Sequence, residues 1–255
     1  MMRLVLHQWR YDMVGFWRNP QSRFFTVALP IILLVVFVSV FGNNTLKNGV
    51  KASTYYVPGI SALAVIASSF FNLVIAITAQ RESGVLKRRR ATPVPAWVLI
   101  AGRTLTAVVV SLAVVTVLLL IGRLAYGVEL PTHTIPGVAI TAVVGSIAFC
   151  CLGYALSTTI SSEEAAQPMV QAIMLPLYFI SGVFVPDVNL PSWLRDVATA
   201  FPVQHLASGL HQAFAQSATG SGIAWSNLGV LALWGAAGLA IALARFSWTP
   251  AAARS

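Results

Sequence analysis

Six apolar stretches of 18 to 24 residues constrain the fold of this chain more than any other feature. A bilayer core of about 30 Å needs about 20 apolar residues in helical form, because lipid offers an open backbone no hydrogen-bond partner. We therefore predict six transmembrane helices. They cover residues 24–42, 57–79, 104–122, 137–160, 169–186 and 225–244, nearly half of the 255 residues, and leave no room for a sizeable soluble domain.

The composition excludes a water-soluble fold. The chain is 57% hydrophobic and 9% charged, and its net charge of +9 suits either nucleic acid or an anionic membrane surface. The apolar excess selects the membrane. The only cysteines, Cys150 and Cys151, are adjacent in an apolar run, so they provide neither a disulfide framework nor a C-x2-C metal site. We predict an all-α, polytopic membrane protein with one domain, residues 1–255, no metal site and no nucleic-acid partner.

The distribution of basic residues predicts the orientation of the helices. Counted over alternate connections, twelve Lys and Arg residues fall on one side of the membrane and four on the other. Cytoplasmic connections carry the basic excess, so both termini are predicted to lie in the cytoplasm.

Residues 1–23 are predicted to form an interfacial amphipathic helix. On a helical wheel, Arg3, Arg10 and Arg18 lie on one side, whereas Trp9 and Trp17 lie on the other. This pattern is typical of a helix in the head-group plane that contacts membrane lipids. The alternative is a charged leader that only fixes the topology.

The connection at residues 81–97 concentrates five of the sixteen bases in ten residues. Gly84 can end the second span, and the Pro93-Val94-Pro95 sequence forces a turn before the third. Residues 85–91 can form about two helical turns parallel to the membrane. The base composition alone favours a positive-inside anchor, whereas a short helix between Gly and Pro-x-Pro suits a docking element.

The fifth span and the segment after it contain helix-breaking residues. Pro176, Gly182 and Pro186 predict a break in that span. Residues 187–216 are too polar to cross the membrane and are expected to form two short re-entrant helices in the outer leaflet. Before the span, Ser161 or Ser162 can cap a helix that begins near Glu163.

The spans carry no catalytic constellation. A membrane enzyme or ion-coupled carrier needs ionisable groups at membrane depth, and the centres of the six predicted spans have none. Asn72 is the most deeply placed strongly polar residue, and an interhelical hydrogen bond would explain it. None of the three lysines stands in a G-K-[ST] sequence, so the chain lacks a P-loop and any ATP must be used by a partner.

Three segments together resemble the membrane subunits of type-2 ABC exporters, the ABC-2 permeases that include the daunorubicin-resistance type. Residues 81–95 are similar to the family's motif between spans two and three, an acidic-basic pair followed by Gly, a basic helix and Thr-Pro-Leu-Pro. Residues 176–186 resemble its span-five signature, and residues 190–194 with Pro202 resemble its outer segment. Arg89 stands where leucine is common, and Ser83 and Val85 are less typical around Gly84.

The resemblance implies an interfacial helix, six spans, a coupling helix and two re-entrant outer helices. It implies two permease halves, identical or related, with two copies of an ABC ATPase that bind ATP and Mg²⁺, so this chain holds no cofactor itself. The membrane would be the cytoplasmic membrane of a prokaryote. Val85 and Leu86 are expected to enter a groove on the ATPase, while the bases face acidic groups or lipid phosphates. The expected coupling residues are Arg81, Glu82, Gly84, Val85, Leu86, Lys87, Arg88, Arg89, Arg90, Thr92, Pro93 and Pro95.

We therefore expect an ATP-driven exporter that moves a hydrophobic drug, a lipid or a lipid-linked substrate between two permeases. The alternatives are export of a polysaccharide or other metabolite by the same family, a membrane-embedded lipid-modifying enzyme, and a scaffold or secondary carrier. Candidate residues along the translocation path are Asn72, Phe70, Phe71, Tyr178 and Phe184, although aromatic residues in spans more often serve packing.

Overall fold

The computed structural model describes residues 2–41, 51–90, 95–128, 132–186, 190–215 and 220–245. Over these residues the fold is helical, and we number ten α-helices along it. They are α1 (Met2–Arg18), α2 (Pro20–Phe41), α3 (Ala52–Glu82), α4 (Val85–Arg90), α5 (Ala96–Tyr126), α6 (Ile135–Ser157), α7 (Glu163–Ile180), α8 (Ser192–Ala198), α9 (Pro202–Phe214) and α10 (Trp225–Arg245).

Five helices in the described part of the chain are long and apolar enough to cross a membrane, namely α2, α3, α5, α6 and α10. The fifth predicted span falls on α7, which has 18 residues and begins with Glu163 and Glu164. These glutamates lower the average hydropathy of the helix, so α7 is not among the five. Length and composition therefore do not confirm the predicted count of six.

The helix α3 forms the centre of the bundle. From position 52 to position 70 every residue except Thr54 is buried, and α2, α5, α6 and α9 surround this part of the helix. Small side chains permit this close packing: a Cβ atom at Gly59 would lie 2.6 Å from the carbonyl oxygen of Val183. Because lipid is as apolar as the bundle interior, such contacts, more than burial from water, hold the helices together.

Hydrogen bonds fix the two ends of the bundle. At one end, the Arg81 guanidinium donates to the carbonyl oxygen of Ser157, over 2.8 Å. At the other, the Tyr55 hydroxyl donates to the carbonyl oxygen of Gly182, over 2.6 Å. We call these the α4 end and the α9 end, after the helices that lie there. The helix α7 runs from the first to the second, because Glu163 begins it near Glu82 and it ends just before Gly182.

A short turn separates α1 from the first apolar helix. The Asn19 side chain accepts hydrogen bonds from the backbone N–H groups of Gln21 and Ser22, at 3.0 and 3.2 Å, and so caps α2. The amphipathic helix thus ends at Arg18, and the apolar helix begins at Pro20, four residues before the predicted Phe24. The helix α1 packs along the first part of α5, where Gln8 lies against Gly102.

Two π-helical segments lie opposite each other in α2 and α3. They are Phe24–Ala28 and Ala67–Phe71, and each widens one turn of its helix. The rings of Phe25 and Phe71 are 5.3 Å apart, and the Asn72 amide donates to the Thr26 hydroxyl over 2.5 Å. The two wide turns therefore meet in an interhelical contact that contains both aromatic packing and a hydrogen bond.

Glycines on α10 allow it to pack closely on α6. A Cβ atom at Gly238 would lie 2.8 Å from the backbone nitrogen of Leu152, whereas one at Gly229 would meet nothing within 4 Å. We expect Gly238→Ala to lower the free energy of unfolding by about 1–3 kcal/mol, because the backbone of α6 must move. Gly229→Ala in the same helix is the control and should be neutral or stabilising by up to about 1 kcal/mol. Thermal unfolding in detergent measures both, and equal midpoints would exclude the proposed close contact.

The α9 end contains a half-buried histidine outside the five apolar helices. The His211 ring stacks on Tyr55 with centroids 4.6 Å apart, and its Nε2 lies 3.2 Å from the carbonyl oxygen of Gly182. Since a carbonyl only accepts hydrogen bonds, the neutral ring must donate from Nε2. Burial lowers the pKa of His211 from 6.5 to about 4.

This shift predicts a loss of stability in acid. The folded state resists protonation of His211, whereas the unfolded state accepts the proton near pH 6.5, so stability should decrease as the pH falls from 6.5 towards 4. We expect the midpoint of thermal unfolding to fall more between pH 7.5 and pH 4.5 in the wild type than in His211→Gln. Substitution of the exposed His7 by Gln should leave the fall in the unfolding midpoint between these pH values as it is in the wild type. If the unfolding midpoint falls equally with pH in the wild type and in His211→Gln, the acid sensitivity does not come from His211.

Candidate functional site

A glycine turn separates α4 from the central helix. The helix α3 ends at Glu82, and Gly84 has a φ of +71°, a backbone conformation that residues with a Cβ atom seldom adopt. The N–H of Gly84 donates to the carbonyl oxygen of Arg81 over 3.2 Å, and that of Arg88 donates to the carbonyl oxygen of Gly84 over 3.2 Å. The turn thus redirects the chain and begins the short helix Val85–Arg90 directly below α3.

The helix α4 presents charge outward and one apolar side chain inward. Lys87 and Arg88 are exposed, whereas Leu86 is only 3% exposed. Leu86 packs in a cluster with residues of α3, α5, α6 and α10, which are Leu73, Ile77, Ala107, Cys150, Tyr154 and Ala242. The prediction that Leu86 enters a groove on a partner is therefore wrong, because this side chain is already buried against other helices of the same chain. Among the side chains of α4 that the structure describes, Lys87 and Arg88 are exposed and Val85 is partly exposed.

The end of α3 is joined to the connection between α6 and α7. Arg81 is 5% exposed and donates both to the carbonyl of Ser157, the last residue of α6, and to that of Ile160. The Glu82 carboxylate accepts a hydrogen bond of 2.5 Å from the backbone N–H of Glu163, the first residue of α7. We call this set of contacts the clasp. It joins the end of α3, directly before the turn to α4, to the start of α7.

The start of α7 is capped as the sequence predicts. The Ser162 hydroxyl accepts from the backbone N–H of Ala165 over 3.3 Å, and Glu163 and Glu164 occupy the first helical turn. Negative charge at this position complements the helix dipole. The predicted cap at Ser162 is confirmed, and together with Glu82 it satisfies two of the backbone donors at the helix start.

The structure describes only some of the remaining residues that the sequence predicts for coupling. Thr92 and Pro93 lie outside the described residues, and so do the side chains of Arg89 and Arg90. Pro95 directly precedes α5 in an extended conformation, with φ −61° and ψ 141°.

The structure does not bring the five candidate path residues together. Phe70 is 3% exposed and packs edge to face on Phe149, which places it in the bundle interior. Phe71 and Asn72 belong to the contact between the two π-helical segments. The other two form a separate pair at the α9 end, where the rings of Tyr178 and Phe184 are 5.9 Å apart. Phe184 also stacks on Phe37 of α2, at 5.5 Å.

The predicted break does not occur at Pro176. The helix α7 continues through Pro168 and Pro176 to Ile180, and the chain turns at Gly182, whose φ is +74°. Both prolines are exposed, so their rings lie on the outer face of α7 and do not disturb its contacts with the bundle. The turn is held by the Tyr55 hydroxyl, which donates to the carbonyl oxygens of Gly182 and Val185 at 2.6 and 3.2 Å. Pro186 is buried beyond this turn.

Two functional features have no clear sequence signal. The clasp uses backbone carbonyls of Ser157 and Ile160, whose position no side-chain pattern predicts. The contact of His211 with Tyr55 joins residues far apart in the sequence. For the clasp, the sequence signal is Arg81 itself, a basic residue at the end of an apolar run. Such a residue lies at a helix end, where it can bind the free carbonyls at the end of a neighbouring helix.

Comparison with known proteins identifies relatives of this chain. The family model described as ABC-2 type transporter matches residues 4–215. The daunorubicin resistance ABC transporter permease protein DrrB1 of Streptomyces coeruleorubidus is 27% identical over 208 residues, which cover 80% of this chain and 72% of that protein. The inner membrane transport permease YadH of Escherichia coli K12 is 21% identical over 220 residues, covering 82% and 85%.

A further relative is the probable multidrug ABC transporter permease YbhR of Escherichia coli K12, 24% identical over 174 residues, with 68% of this chain and 47% of that protein covered. The relatives are thus permease components of ABC transporters, and permeases of this type have their ATPase in a separate partner. The matched residues include four of the five apolar helices, α2, α3, α5 and α6, as well as α4, the clasp and α7. This chain is an integral membrane protein that belongs to the ABC-2 type transporter family.

Proposed function

We propose that this chain is the permease subunit of an ATP-driven exporter in the cytoplasmic membrane of a prokaryote. It would move a hydrophobic drug, a lipid or a lipid-linked substrate outward, with two copies of a separate ATPase subunit docked at the α4 end. The names of DrrB1 and YbhR support the substrate class. The single observation that carries the proposal is the clasp, because it connects an exposed basic helix to the start of a long helix that reaches the opposite end of the bundle.

We further propose that α7 crosses the membrane as a sixth span. Its 18 residues give a length of about 27 Å, close to the bilayer core of about 30 Å. Its first residue contacts Glu82 and the turn after it contacts Tyr55, so α7 runs between the two ends of α3. The two glutamates would then lie at the membrane surface, where they need not be desolvated.

The α4 end is proposed to face the cytoplasm, with both termini on that side. Exposed bases at this end include Lys87 and Arg88 on α4 and Arg245 at the end of α10. The α9 end has Arg123 and Arg195 among its exposed bases. The count of twelve basic residues against four supports this orientation. Tags at either terminus should therefore resist protease added to intact cells, and removal of both tags would overturn the orientation.

Coupling would proceed through the clasp. When ATP binding closes the two ATPase subunits, they would displace α4. The displacement would pass through the turn at Gly84 to the end of α3. Arg81 and Glu82 would transmit this displacement to the ends of α6 and α7. The hydrogen bonds of Arg81 are buried and that of Glu82 is exposed, and all of them join a side chain of α3 to the backbone of the connection between α6 and α7, so a displacement of the end of α3 would reach this connection through all of them together.

Two permeases would form the path between them. The helices α2 and α7 both expose rows of apolar side chains that the described part of the chain leaves uncovered, which are Ile32, Val35, Val36 and Val40 on α2 and Ile173, Leu175 and Phe179 on α7. These faces suit a second copy or a related permease. Cysteines introduced at Val36 and Leu175 should crosslink permeases in native membranes, and fully active transport by a strictly monomeric permease would exclude the dimer.

The test of the proposed function is a charge reversal on the exposed face of α4. We expect the double variant Lys87→Glu and Arg88→Glu to reduce co-purification of the ATPase subunit by about tenfold or more, because both charges face outward and pair with acidic groups on the partner. Binding of the wild type should weaken with added salt. The matched control is Lys51→Glu with Arg195→Glu, two exposed bases at the α9 end.

The control should insert, bind the ATPase and transport as the wild type does. If the α4 variant binds and couples the ATPase normally at all salt concentrations, α4 is only a topology anchor and the proposed docking surface is wrong.

A further inference from the structure

A cavity of about 470 Å³ lies between α1, the start of α2, α3 and the first half of α5. Its volume falls within the range of about 300–1,000 Å³ that is typical of small-molecule sites. Apolar residues of α3 and α5 form one part of the wall. Polar side chains form the other, including Asp12 of α1, Gln80 of α3 and Arg103 of α5. The cavity does not include the clasp or the exposed bases of α4.

The polar wall has unsatisfied hydrogen-bonding groups. Eight buried side-chain polar atoms in the described part of the chain lack a partner, and three of them belong to residues that line this cavity. They are Asp12 Oδ2, Gln80 Oε1 and Arg103 Nη1. The second carboxylate oxygen of Asp12 accepts from the Gln8 amide over 2.9 Å. Two acceptors and one cationic donor thus remain for a ligand, since buried polar groups are rarely left without a partner.

The charges in the wall have opposite signs and remain separate. The unpaired atoms of Asp12 and Arg103 are not hydrogen-bonded to each other. A ligand that satisfies both must carry a cation with N–H donors and an anion with several acceptors. An ammonium group supplies up to three donors to Asp12 and Gln80, and a phosphate accepts from the forked guanidinium of Arg103. The apolar part of the wall can contact the carbon atoms between and beyond these groups.

We propose that this cavity binds the head group of a zwitterionic phospholipid of the phosphatidylethanolamine type. The ammonium lies at Asp12 and Gln80, and the phosphate lies at Arg103 after a rotation of these flexible side chains. The amphipathic helix α1 forms one wall, which places the site where lipid head groups are available. The inference goes beyond the export function, because the lipid need not be the transported substrate.

The test is a titration of the purified permease, without ATPase, in detergent. We expect a short-chain phosphatidylethanolamine to raise the midpoint of thermal unfolding in a saturable way. Short-chain phosphatidylglycerol, which has the phosphate but no ammonium, should bind about tenfold more weakly or worse. Asp12→Asn and Arg103→Gln should each weaken phosphatidylethanolamine binding by about tenfold. Arg103→Lys should retain part of the affinity, because it keeps the positive charge.

Two further measurements separate binding from folding. Without lipid, Asp12→Asn and Arg103→Gln should unfold at or above the wild-type temperature, because each removes an unsatisfied buried charge. Arg23→Gln, an exposed base outside the cavity at the same end, and Asp196→Asn, an exposed acid on α8, should bind lipid as the wild type does.

Three outcomes overturn the proposal. Equal binding of both phospholipids, or wild-type affinity in both cavity variants, would show only unspecific lipid association. Soluble phosphoethanolamine distinguishes the sources of the head group. If it binds as tightly as the phospholipid, the site is one for the free head group and the assignment to a membrane lipid is wrong. Because the assay contains no ATPase, its result is independent of the test of α4.

Discussion

Arg81→Met is expected to abolish coupled transport while the ATPase still binds. The substitution removes the buried donors from the carbonyls of Ser157 and Ile160, and each unsatisfied carbonyl costs about 1–3 kcal/mol. We expect the connection after α6 to separate from α3, so that movement of α4 no longer reaches α7. Transport in proteoliposomes should fall by more than about tenfold, which corresponds to about 1.4 kcal/mol, and the permease should unfold at a lower temperature.

The matched control is Arg88→Met, which removes an exposed base from the neighbouring helix. It should affect ATPase binding modestly and leave thermal stability unchanged. Arg81→Lys should show an intermediate effect, because an ammonium on a flexible stem lacks the planar fork that reaches two carbonyls. If Arg81→Met retains both its stability and its transport rate, the clasp does not transmit the movement of α4.

Leu86→Asp is expected to release α4 from the bundle. The substitution places a carboxylate in a cluster where Leu86 is only 3% exposed, and both the lost packing and the desolvation oppose it. A loss of about 3 kcal/mol or more exceeds what a helix of six residues can provide alone, so α4 should detach locally while the apolar helices remain inserted. Co-purification of the ATPase should then fail, although Lys87 and Arg88 are intact.

A buried cysteine reports this detachment. Cys150 belongs to the same cluster as Leu86 and is fully buried, so its labelling by a membrane-permeant maleimide should be slow in the wild type and fast in Leu86→Asp. The experiment uses a Cys151→Ser background, because Cys151 is partly exposed. Leu86→Met, which keeps an apolar side chain of similar volume, should behave as the wild type. Slow labelling and normal ATPase binding in Leu86→Asp would show that α4 does not depend on this cluster.

The apolar helices could be predicted from the sequence, because their length and composition leave few alternatives in a membrane. Their ends could not. The helix α5 begins at Ala96, eight residues before the predicted start, because the apolar residues from Trp97 to Ala101 continue the helix on the other side of Arg103. The helix α3 likewise begins at Ala52, five residues before the predicted start.

The position of the candidate site could be predicted from the sequence, but the contacts of its side chains could not. Gly84 indicated the turn and the bases indicated the exposed face, because local backbone preference and charge determine both. The burial of Leu86 depends on side chains from four other helices, and no local pattern contains that information. Pro176 misled for a similar reason, since a proline on an exposed helix face disturbs only the backbone bond that it removes.

The close packing of α10 on α6 also has a consequence for the synthesis of the protein. Domains and their parts generally emerge from the ribosome in chain order, and α10 is the last described helix to appear. Until then, the groove of α6 that receives Gly235 and Gly238 lacks these contacts. The growing polypeptide therefore stays in an open, incompletely assembled state until α10 has been synthesised. An insertion chaperone or a membrane protease would distinguish that state from the mature permease by this one uncovered groove.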